Sequence, residues 1–349
     1  MAVTSASSSV PSASRGQFDS TVVENAPLCR EHFRLTLRLD RFPPTRPGQF
    51  VQIACRDFSF DDPGEREVEW VEGRPPRLDG TELSDPTSLL RRPFSLAGRR
   101  DLSGGGVELD VIHRVVGLAT GWLAALRPGD LVNVLGPLGN AFAPPPEGGI
   151  GLLVGGGVGI PPMIYLAEML ARRRSGHDNP RAVAFCGAVT RDLLALTVTN
   201  DAPPPKADKV DGAYNIAEFA RHGIPAVIST DDGSYGYRGF VTQALEQYLD
   251  LYLTDNADRG RAVVYTCGPE PMMKRVAEIA ARRQVACQVA VERAMACGMG
   301  TCQSCVIRLR KGDAGTQKSV VGGQKAEPEW AYRLACTDGP VFRGEDLLW

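Results

Sequence analysis

Two kinds of hydrophobic pattern divide the chain. In its first part, apolar and polar positions alternate with the period of two that is typical of half-buried strands. The alternation predicts strands at 33–40, 48–55, 92–98 and 107–115, and another after the turn at 127–130. Because these strands follow one another with turns between them, we expect an antiparallel β-barrel.

From about residue 150 the pattern changes to strands that alternate with helices. Short apolar runs predict strands at 150–156, 181–187, 226–230 and 261–268. Apolar residues spaced by three and four predict helices at 164–174, 240–251 and 270–283. This alternation is typical of an α/β domain with a parallel sheet and helices on both of its faces.

Composition marks the boundaries between these parts. A Ser- and Ala-rich start predicts a disordered N-terminus, and a polar stretch inside the barrel predicts a long surface insertion. The tail is rich in Cys and Gly and too short for a large core of its own, so a cofactor would have to order it. The predicted parts are a disordered N-terminus, a barrel with its insertion, an α/β domain and a small tail domain: 1–16, 17–146 (insertion 56–90), 147–285 and 286–349.

Charge and hydropathy exclude several classes of protein. The chain has 349 residues, 43% of them hydrophobic, which is a globular composition with room for two or three domains. A net charge of −2 gives no bulk-charge argument for a nucleic-acid or anionic-membrane partner. No run approaches the roughly 18 apolar residues of a membrane-spanning helix. The N-terminus lacks the pattern of a secretory signal, and a transit-like segment is disfavoured because Arg15 is the only basic residue before Arg30.

Cysteine usage indicates a reducing compartment. Nine cysteines are an odd number, and a secreted disulfide framework would be shorter and denser in cysteine. We therefore expect reduced thiols in the cytoplasm, some of them holding a metal.

The tail carries the strongest chemical signal. Cys297, Cys302 and Cys305 have the C-x4-C-x2-C spacing, and Cys336 follows. This is the plant-type ferredoxin spacing for a [2Fe–2S] cluster. The alternatives are buried free thiols or a structural zinc site with four cysteine ligands, although zinc commonly takes its cysteines from two paired knuckles.

A second signal lies on the predicted strand 92–98. An arginine can hold a pyrophosphate, a phenylalanine can stack on a flavin, and a serine hydroxyl can hydrogen-bond a flavin nitrogen. The alternative without a ligand is an ordinary strand that carries a surface arginine. Likewise, a lone histidine on a strand is more often a packed or exposed residue than a functional one. The candidate ligands of one flavin are Arg92, Pro93, Phe94, Ser95, Ile112, His113, Arg114, Ala119 and Thr120.

The α/β part carries candidates for nucleotide binding. Glycines between a strand and a helix allow close backbone approach, and a helix N-terminus favours phosphate. Ligands of open α/β sheets bind at the carboxyl ends of strands. The alternatives are a ligand-free turn, a buried apolar thiol and a solvated Asp-Gly turn. The candidates are Gly155, Gly156, Gly157, Gly159, Asp231, Cys267, Gly268 and Pro269.

The order of these motifs resembles the ferredoxin-reductase superfamily. R-P-F-S is followed by G-L-A-T, G-G-G-V-G-I-P-P, C-G-P and then the cysteine loop. Residues 292–305 match E-x-x-M-x-C-G-x-G-x-C-x-x-C and, with the segment after Cys336, are similar to electron-transfer subunits of NAD-dependent dihydroorotate dehydrogenases. The resemblance extends over most of the chain, apart from the insertions and the N-terminus.

The resemblance implies FAD on the barrel, a [2Fe–2S] cluster on the four tail cysteines and NAD on the α/β domain. It also implies a partner, an FMN-containing dihydroorotate dehydrogenase catalytic subunit, in an assembly of two copies of each chain. Electrons from dihydroorotate would pass through the cluster and FAD to NAD⁺ in pyrimidine biosynthesis. No catalytic acid or base is then expected on this chain. Ala119 departs from the pattern, because many relatives have Gly there.

Two other functions fit parts of the sequence. One is a different NAD(P)H-linked reductase subunit of the same architecture, serving ferredoxin, a hydrogenase or another partner. The other is a zinc-binding scaffold without enzymatic activity. The sequence does not distinguish NADH from NADPH.

Overall fold

The computed structural model describes residues 15–56, 90–172, 181–199, 208–310 and 330–349. Nearly all of the predicted disordered N-terminus and of the predicted insertion 56–90 therefore lies outside the described residues. Within the described part of the chain, no helix is both long enough and apolar enough to cross a membrane.

The first part of the chain is a closed antiparallel barrel, as predicted. Its strands are β1 (Gly16–Cys29), β2 (His32–Leu39), β3 (Phe50–Ile53), β4 (Arg92–Asp101), β5 (Val107–Arg114) and β6 (Leu131–Leu138). They are joined in the order β1-β2-β5-β4-β3-β6. Alternate side chains such as Leu35, Leu37 and Leu109 are fully buried in the barrel core, which is why the period of two was visible in the sequence.

The strand β1 was not predicted, although it closes the barrel. Only Ser20 and Val22 of its 14 residues are buried, so its sequence carries little hydrophobic alternation. The strand is held by backbone pairing with both β2 and β6. The Ser20 hydroxyl adds a bond of 2.7 Å to the carbonyl of Val132. Closure therefore depends on long-range ladders that a local pattern does not record.

A short helix, α1 (Leu118–Ala125), connects β5 to β6 and was also not predicted. The last carbonyls of a helix lack partners within the helix. Here the Asn25 side chain of β1 donates to carbonyls at this end, those of Leu123 at 2.9 Å and Leu126 at 3.0 Å. The barrel wall therefore caps the helix and fixes its position beside β5.

The second part is a sheet of seven strands. The strands are β7 (Ile150–Gly156), β8 (Arg181–Ala188), β9 (Ala226–Thr230), β10 (Tyr237–Arg238), β11 (Ala262–Cys267), β12 (Ala286–Ala290) and β15 (Val341–Arg343). Their order is β10-β9-β8-β7-β11-β12-β15, and all pairs are parallel except β12 with β15. The predicted parallel sheet is confirmed.

Helices cover both faces of this sheet, as the pattern predicted. The helices are α2 (Ile160–Arg172), α3 (Ala217–Ala220), α4 (Val241–Tyr252), α5 (Asn256–Arg261) and α6 (Glu270–Arg282). Leu153 of β7 packs in one core with α2, whereas its neighbours Leu152 and Val154 pack in a second core with α4 and α6. Successive side chains of a strand point to opposite faces, so β7 is covered on both sides.

The tail is integrated with both other parts. It forms β13 (Val306–Arg310), β14 (Trp330–Leu334) and β16 (Leu347–Leu348), which make a small sheet in the order β14-β13-β16. It also supplies β12 and β15 to the large sheet, so the tail predicted at 286–349 begins with a strand of that sheet. One hydrophobic core joins Phe50 of the barrel, Met273 of α6 and Ile307 of the tail. A short tail with little apolar surface thus obtains its core by sharing it.

Candidate functional site

A cleft of about 1370 Å³ opens where the barrel, the large sheet and the tail meet. The barrel side of the cleft is formed by the ends of β4 and β5 and the first turn of α1. All nine residues predicted to hold the flavin line it: Arg92, Pro93, Phe94, Ser95, Ile112, His113, Arg114, Ala119 and Thr120. The structure therefore brings together motifs that are up to 28 residues apart in the chain (92 to 120).

The opposite wall comes from the sheet and the tail. It includes Val158 and Gly159 of the glycine turn, Cys267 at the end of β11, and residues 290–296. Of the predicted nucleotide-binding residues, only Gly159 and Cys267 line the cleft. The others do not: Gly155, Gly156, Gly157, Asp231, Gly268 and Pro269.

His113 offers two polar atoms to the cleft. The residue is buried, and neither ring nitrogen has a hydrogen-bond partner among the described residues. Burial lowers the pKa of His113 to about 4, with a smaller effect from the nearby His32, so the ring is neutral at pH 7. It stacks on Phe33 at 5.8 Å and meets the edge of Phe94 at 6.2 Å. A neutral imidazole has one donor and one acceptor nitrogen, which fits a ligand with polar atoms.

Two arginines place positive charge at the cleft. Among the described residues, the Arg92 guanidinium bonds only to backbone carbonyls, those of Leu90 at 3.0 Å and Arg91 at 3.4 Å. Arg114 forms an ion pair of 2.8 Å with Glu31. No carboxylate of the described residues pairs with Arg92, and its planar guanidinium suits a pyrophosphate.

Thr120 also has a local role at the start of α1. Its hydroxyl oxygen accepts the backbone N–H groups of Val116 at 2.8 Å and Gly117 at 3.2 Å. These bonds hold the first turn of α1 in place. Thr120 thus lines the cleft and also fixes the start of α1 there.

The glycine turn between β7 and α2 is tightly packed. A Cβ atom at Gly155 would lie 2.9 Å from Cα of Ile160, and one at Gly156 would lie 2.6 Å from Sδ of Met272. A Cβ atom at Gly159 would lie 2.1 Å from the carbonyl oxygen of Cys267. These three glycines are therefore required by the packing of the turn against α2, α6 and β11. Gly157 has φ of +53°, and a Cβ atom there would meet nothing within 4 Å, so this position faces open space.

Other strand ends lie along the same edge of the sheet. Asp231 follows β9 and is exposed, and desolvation followed by the charge of Asp232 raises the pKa of its carboxyl. Cys267 is buried, and burial followed by the charge of Glu292 raises the pKa of its thiol to about 12. A thiol with this pKa is protonated at neutral pH, so Cys267 is no thiolate nucleophile.

The cysteine loop wraps closely around one sulfur. The backbone N–H groups of Met299 and Cys302 both donate to Cys297 Sγ at 3.4 Å. Gly298 and Gly300 have φ of +68° and +89°, a conformation that favours glycine. Backbone N–H groups aimed at sulfur are typical of the surroundings of iron–sulfur clusters.

The remaining cysteines differ in exposure. Cys302 is exposed, and hydrogen bonds from Ser304, whose hydroxyl lies 3.2 Å away, lower the pKa of the thiol to about 6. Cys305 and Cys336 are buried. Burial is the main cause, and the neighbouring Cys305 a further cause, of a rise in the pKa of the Cys336 thiol to about 11. Across the described residues, no group of three or more His, Cys, Asp or Glu side chains is arranged to hold a metal ion. A [2Fe–2S] cluster on four cysteines needs only two thiolates at each of its two irons, so the four thiols still have the chemistry that a cluster requires.

Comparison with known sequences decides the family. Residues 292–348 match the family described as the iron–sulfur cluster binding domain of dihydroorotate dehydrogenase B, and residues 153–278 match the oxidoreductase NAD-binding domain. The dihydroorotate dehydrogenase B (NAD⁺) electron transfer subunit of Geobacillus thermodenitrificans is 36% identical over 331 residues, covering 94% of this chain and 97% of the relative. The chain belongs to this family of electron transfer subunits.

Other members give the same result. The corresponding electron transfer subunit of Bacillus caldolyticus is 35% identical over 268 residues, which cover 76% of this chain and 82% of that relative. The family predicted from the motifs is thereby confirmed, and this member is an oxidoreductase subunit with an iron–sulfur domain and an NAD-binding domain.

Solved structures support the fold. An NADH-dependent reduced ferredoxin-NADP oxidoreductase structure aligns with a TM-score of 0.63 at 24% identity, covering 95% of this chain and 90% of that chain. A cytochrome P450 reductase from Amycolatopsis aligns with a TM-score of 0.53 at 24% identity, over 78% of this chain and 68% of that chain. The predicted combination of barrel, α/β domain and small cluster domain is confirmed.

The motifs missed part of the cleft wall. Phe50 of β3 lines it without belonging to any recognised motif, whereas Pro340 belongs to the segment after Cys336 that resembles the family. Glu292 and Met295 also line it, and they belong to the E-x-x-M-x-C pattern that identified the family. That pattern was the available signal that the tail reaches the flavin site.

Proposed function

We propose that this subunit accepts electrons from a partner that oxidises dihydroorotate on FMN, and delivers them to NAD⁺ in pyrimidine biosynthesis. One observation carries the proposal. A single cleft joins the strand 92–95 of the barrel, Cys267 of the sheet and residues 292–296 that lead into the cysteine loop. A flavin in this cleft would lie between the nucleotide-binding edge and the cluster.

The residues assign a place to each cofactor. The nine barrel residues would hold FAD in the cleft, where Arg92 would supply a cation for its pyrophosphate and His113 would supply neutral polar atoms. The [2Fe–2S] cluster is held by Cys297, Cys302, Cys305 and Cys336. When bound, these groups would supply the redox chemistry, one-electron transfer at the cluster and two-electron hydride transfer at the flavin.

NAD is assigned to the carboxyl edge of the sheet. There Gly157 faces open space before α2, Asp231 directly follows β9, and Cys267 ends β11. The other residues assigned to NAD shape the turns at this edge: Gly155, Gly156, Gly159, Gly268 and Pro269. We retain the division into a barrel at 17–146, an α/β domain at 147–285 and a cluster domain at 286–349 as functional units, with two strands of the last completing the sheet.

The partner is assigned to the exposed side of the tail. Val306 and Arg308 on β13 pair with Leu334 and Tyr332 on β14, so these side chains share one face of the small sheet. Leu334 lies 3.7 Å from a Cβ position at Gly300 of the cysteine loop. We call the face made by Met299, Val306, Arg308, Trp330 and Tyr332 the cluster-side face. It combines exposed apolar and aromatic groups with a cation, a composition that favours a protein interface.

The proposal includes the assembly. The FMN-containing catalytic subunit docks on the cluster-side face, beside the exposed Cys302, and two copies of each chain form a heterotetramer. In this arrangement the exposed edge of the cysteine loop would be the entry side for electrons, and the cleft would be the exit side toward NAD⁺.

Reconstitution with the partner tests the function. The full chain is co-expressed with a dihydroorotate dehydrogenase catalytic subunit, and flavin, iron, mass of the complex and NAD⁺ reduction are measured. We expect FAD, two irons per chain as a [2Fe–2S] cluster requires, co-purification, and NAD⁺ reduction that depends on dihydroorotate. A fully loaded complex that reduces ferredoxin but not NAD⁺ from dihydroorotate would refute the proposal, and a colourless zinc protein would refute the cofactor assignment.

A further inference from the structure

A buried glutamine of the barrel lies between the flavin strand and the cysteine loop. Gln52 on β3 is fully buried, and its backbone pairs with Pro93 on β4. Its side chain reaches the tail, where Nε2 donates to the carbonyl of Ala296 at 3.4 Å. Ala296 lines the cleft and directly precedes Cys297. The amide therefore contacts the segment that joins the cleft to the first cysteine of the loop.

The residue on the other side of Cys297 fits against the same amide. A Cβ atom at Gly298 would lie 2.7 Å from Cδ, 2.8 Å from Oε1 and 2.9 Å from Nε2 of Gln52. Glycine is thus required at 298 because the Gln52 amide fills the adjoining space. Since the amide touches both neighbours of Cys297, it fixes both ends of the turn that presents the Cys297 sulfur.

Packing alone does not explain a glutamine at this position. Its Oε1 atom is buried and has no hydrogen-bond partner among the described residues. A leucine would fill a similar volume and would leave no acceptor unsatisfied. A buried acceptor without a hydrogen bond is unfavourable. A buried unsatisfied group of a native protein calls for a specific explanation, such as a functional role.

We propose that Gln52 is a positioning residue for the cluster. It acts through the Cys297 turn, which it holds at a fixed place against the flavin strand, and it thereby sets the electronic surroundings of the cluster and the rate of electron exchange with the flavin. Hydrogen bonds just outside the ligands of a metal site orient those ligands and adjust reduction potential. The inference rests on the proposed function, because it requires a cluster on Cys297.

The test compares Gln52→Leu with a matched control, Gln49→Leu. Gln49 is also buried in the barrel, but its amide bonds to the Gly139 carbonyl and the Arg46 N–H. Both variants and the wild-type chain are loaded with FAD and cluster. The measurements are the electron paramagnetic resonance spectrum of the reduced cluster, its midpoint potential, and the stopped-flow rate at which NADH reduces it. We expect Gln52→Leu to change the spectrum and potential and to slow cluster reduction about tenfold, whereas Gln49→Leu leaves all three unchanged.

A second variant, Gln52→Glu, separates hydrogen bonding from packing. At low pH its protonated carboxyl can donate to the Ala296 carbonyl as the amide does. At high pH the carboxylate has no proton to donate and faces the carbonyl oxygen. We expect a rate close to wild type at low pH that falls toward the Gln52→Leu rate as the pH rises. A purely structural side chain would give no such pH profile.

The outcomes are distinct. A wild-type spectrum, potential and rate in Gln52→Leu and at every pH in Gln52→Glu would overturn the inference, as would equal changes in Gln49→Leu. If Gln52→Leu does not fold, the pH profile of Gln52→Glu decides. A wild-type chain that binds no cluster, or that does not reduce NAD⁺ from dihydroorotate with its partner, would instead refute the proposed function.

Discussion

Gly298 shows how one missing side chain shapes the cysteine loop. Its φ is +68°, and a Cβ atom would lie 2.7 Å from the Gln52 amide carbon. In Gly298→Ala the left-handed conformation costs about 1–2 kcal/mol, and the contact forces the loop away from the barrel. We expect the iron content to fall to less than half of wild type while FAD is retained, as measured by metal analysis and flavin absorbance.

Gly105→Ala is the control for backbone strain. Gly105 has φ of +89°, but a Cβ atom there meets nothing within 4 Å. The control therefore carries the conformational cost without the contact. Equal loss of iron in both variants would show that strain, and not the fit against Gln52, controls the loop.

His113 predicts a pH dependence of stability. Burial lowers the pKa of the folded-state imidazole to about 4, compared with about 6.5 in an unfolded chain. Between these values the unfolded chain binds a proton that the folded chain does not, so the free energy of unfolding decreases as the pH falls. For this group the decrease from pH 7 to pH 5 is about 2 kcal/mol. His113→Phe, which keeps a ring between Phe33 and Phe94, should remove about that amount from the pH dependence.

Urea unfolding at pH 7 and pH 5 checks this prediction. His32 is also buried, and burial lowers its pKa in the same direction, so some pH dependence persists in the variant. An unchanged difference between the two pH values in His113→Phe would contradict a neutral, desolvated ring.

At the residue scale, motifs predicted the site where chemistry restricts the residue type. The nine flavin candidates and the four cysteines are of this kind, and the nine all line one cleft. Gln52 could not be predicted, because a single glutamine in an apolar strand carries no motif and its role depends on a loop about 245 residues away in the chain. The capping role of the Thr120 hydroxyl at the start of α1 could not be predicted either, because no helix was expected there.

At the element scale, a buried ion pair joins the barrel to the sheet. Glu218 on α3 is 2% exposed, and its carboxylate pairs with the Arg34 guanidinium of β2 at 2.8 Å. The carboxylate also accepts hydrogen bonds from the Thr197 backbone N–H at 3.0 Å and from the Thr197 hydroxyl at 2.9 Å. Glu218→Ala leaves the half-buried Arg34 and both Thr197 donors without their acceptor. Because removing one partner of a buried pair is strongly destabilising, we expect a loss of about 3 kcal/mol in the free energy of unfolding.

Arg30→Ala provides the exposed counterpart. Arg30 and Asp192 also connect the β1–β2 turn to the sheet, but their side chains are 57% and 56% exposed. The expected loss is below about 1 kcal/mol. Denaturant midpoints of the two variants are compared with wild type, and equal losses would show that burial does not strengthen the Glu218 contact.

Elements were predicted well where the pattern is local. Continuous apolar runs mark the strands β7, β8, β9 and β11, because both of their faces are buried. Apolar residues spaced by three and four mark the helices α2, α4 and α6, because one stripe of each helix is buried. The strands β1, β12 and β15 were missed for a common reason. They are short or mostly half-exposed, and partners distant in the chain hold them through backbone bonds.

At the scale of the whole molecule, the sequence predicted three parts but not their shared surfaces. The tail completes the large sheet, packs on the barrel and forms one wall of the cleft. A tail of this size has too little apolar surface for a core of its own, so joint burial is the physical solution. The consequence is that the cysteine loop reaches the flavin cleft on one side and the exposed cluster-side face on the other.

This arrangement predicts which surface binds the partner. Tyr332 lies on the cluster-side face and is 60% exposed. Tyr214 is 59% exposed and lies outside that face. Its neighbour Ala213 bridges to the first residue of β9, at the opposite end of the strand from the carboxyl edge. The two tyrosines match in residue type and exposure. Because aromatic side chains often contribute more than 1 kcal/mol to an interface, we expect Tyr332→Glu to weaken binding of the proposed FMN-containing partner about tenfold and Tyr214→Glu to leave it unchanged.

Binding of the immobilised catalytic subunit to each loaded variant measures the affinities, and dihydroorotate-dependent NAD⁺ reduction at limiting partner gives an independent readout. Reduction of an artificial dye by NADH uses only the cleft and the sheet edge, so it should be the same in both variants. Equal affinities for Tyr332→Glu and Tyr214→Glu would move the docking surface away from the small sheet. A loss confined to Tyr332→Glu, with dye reduction intact, would show that electrons enter through the side of the molecule where Cys302 is exposed.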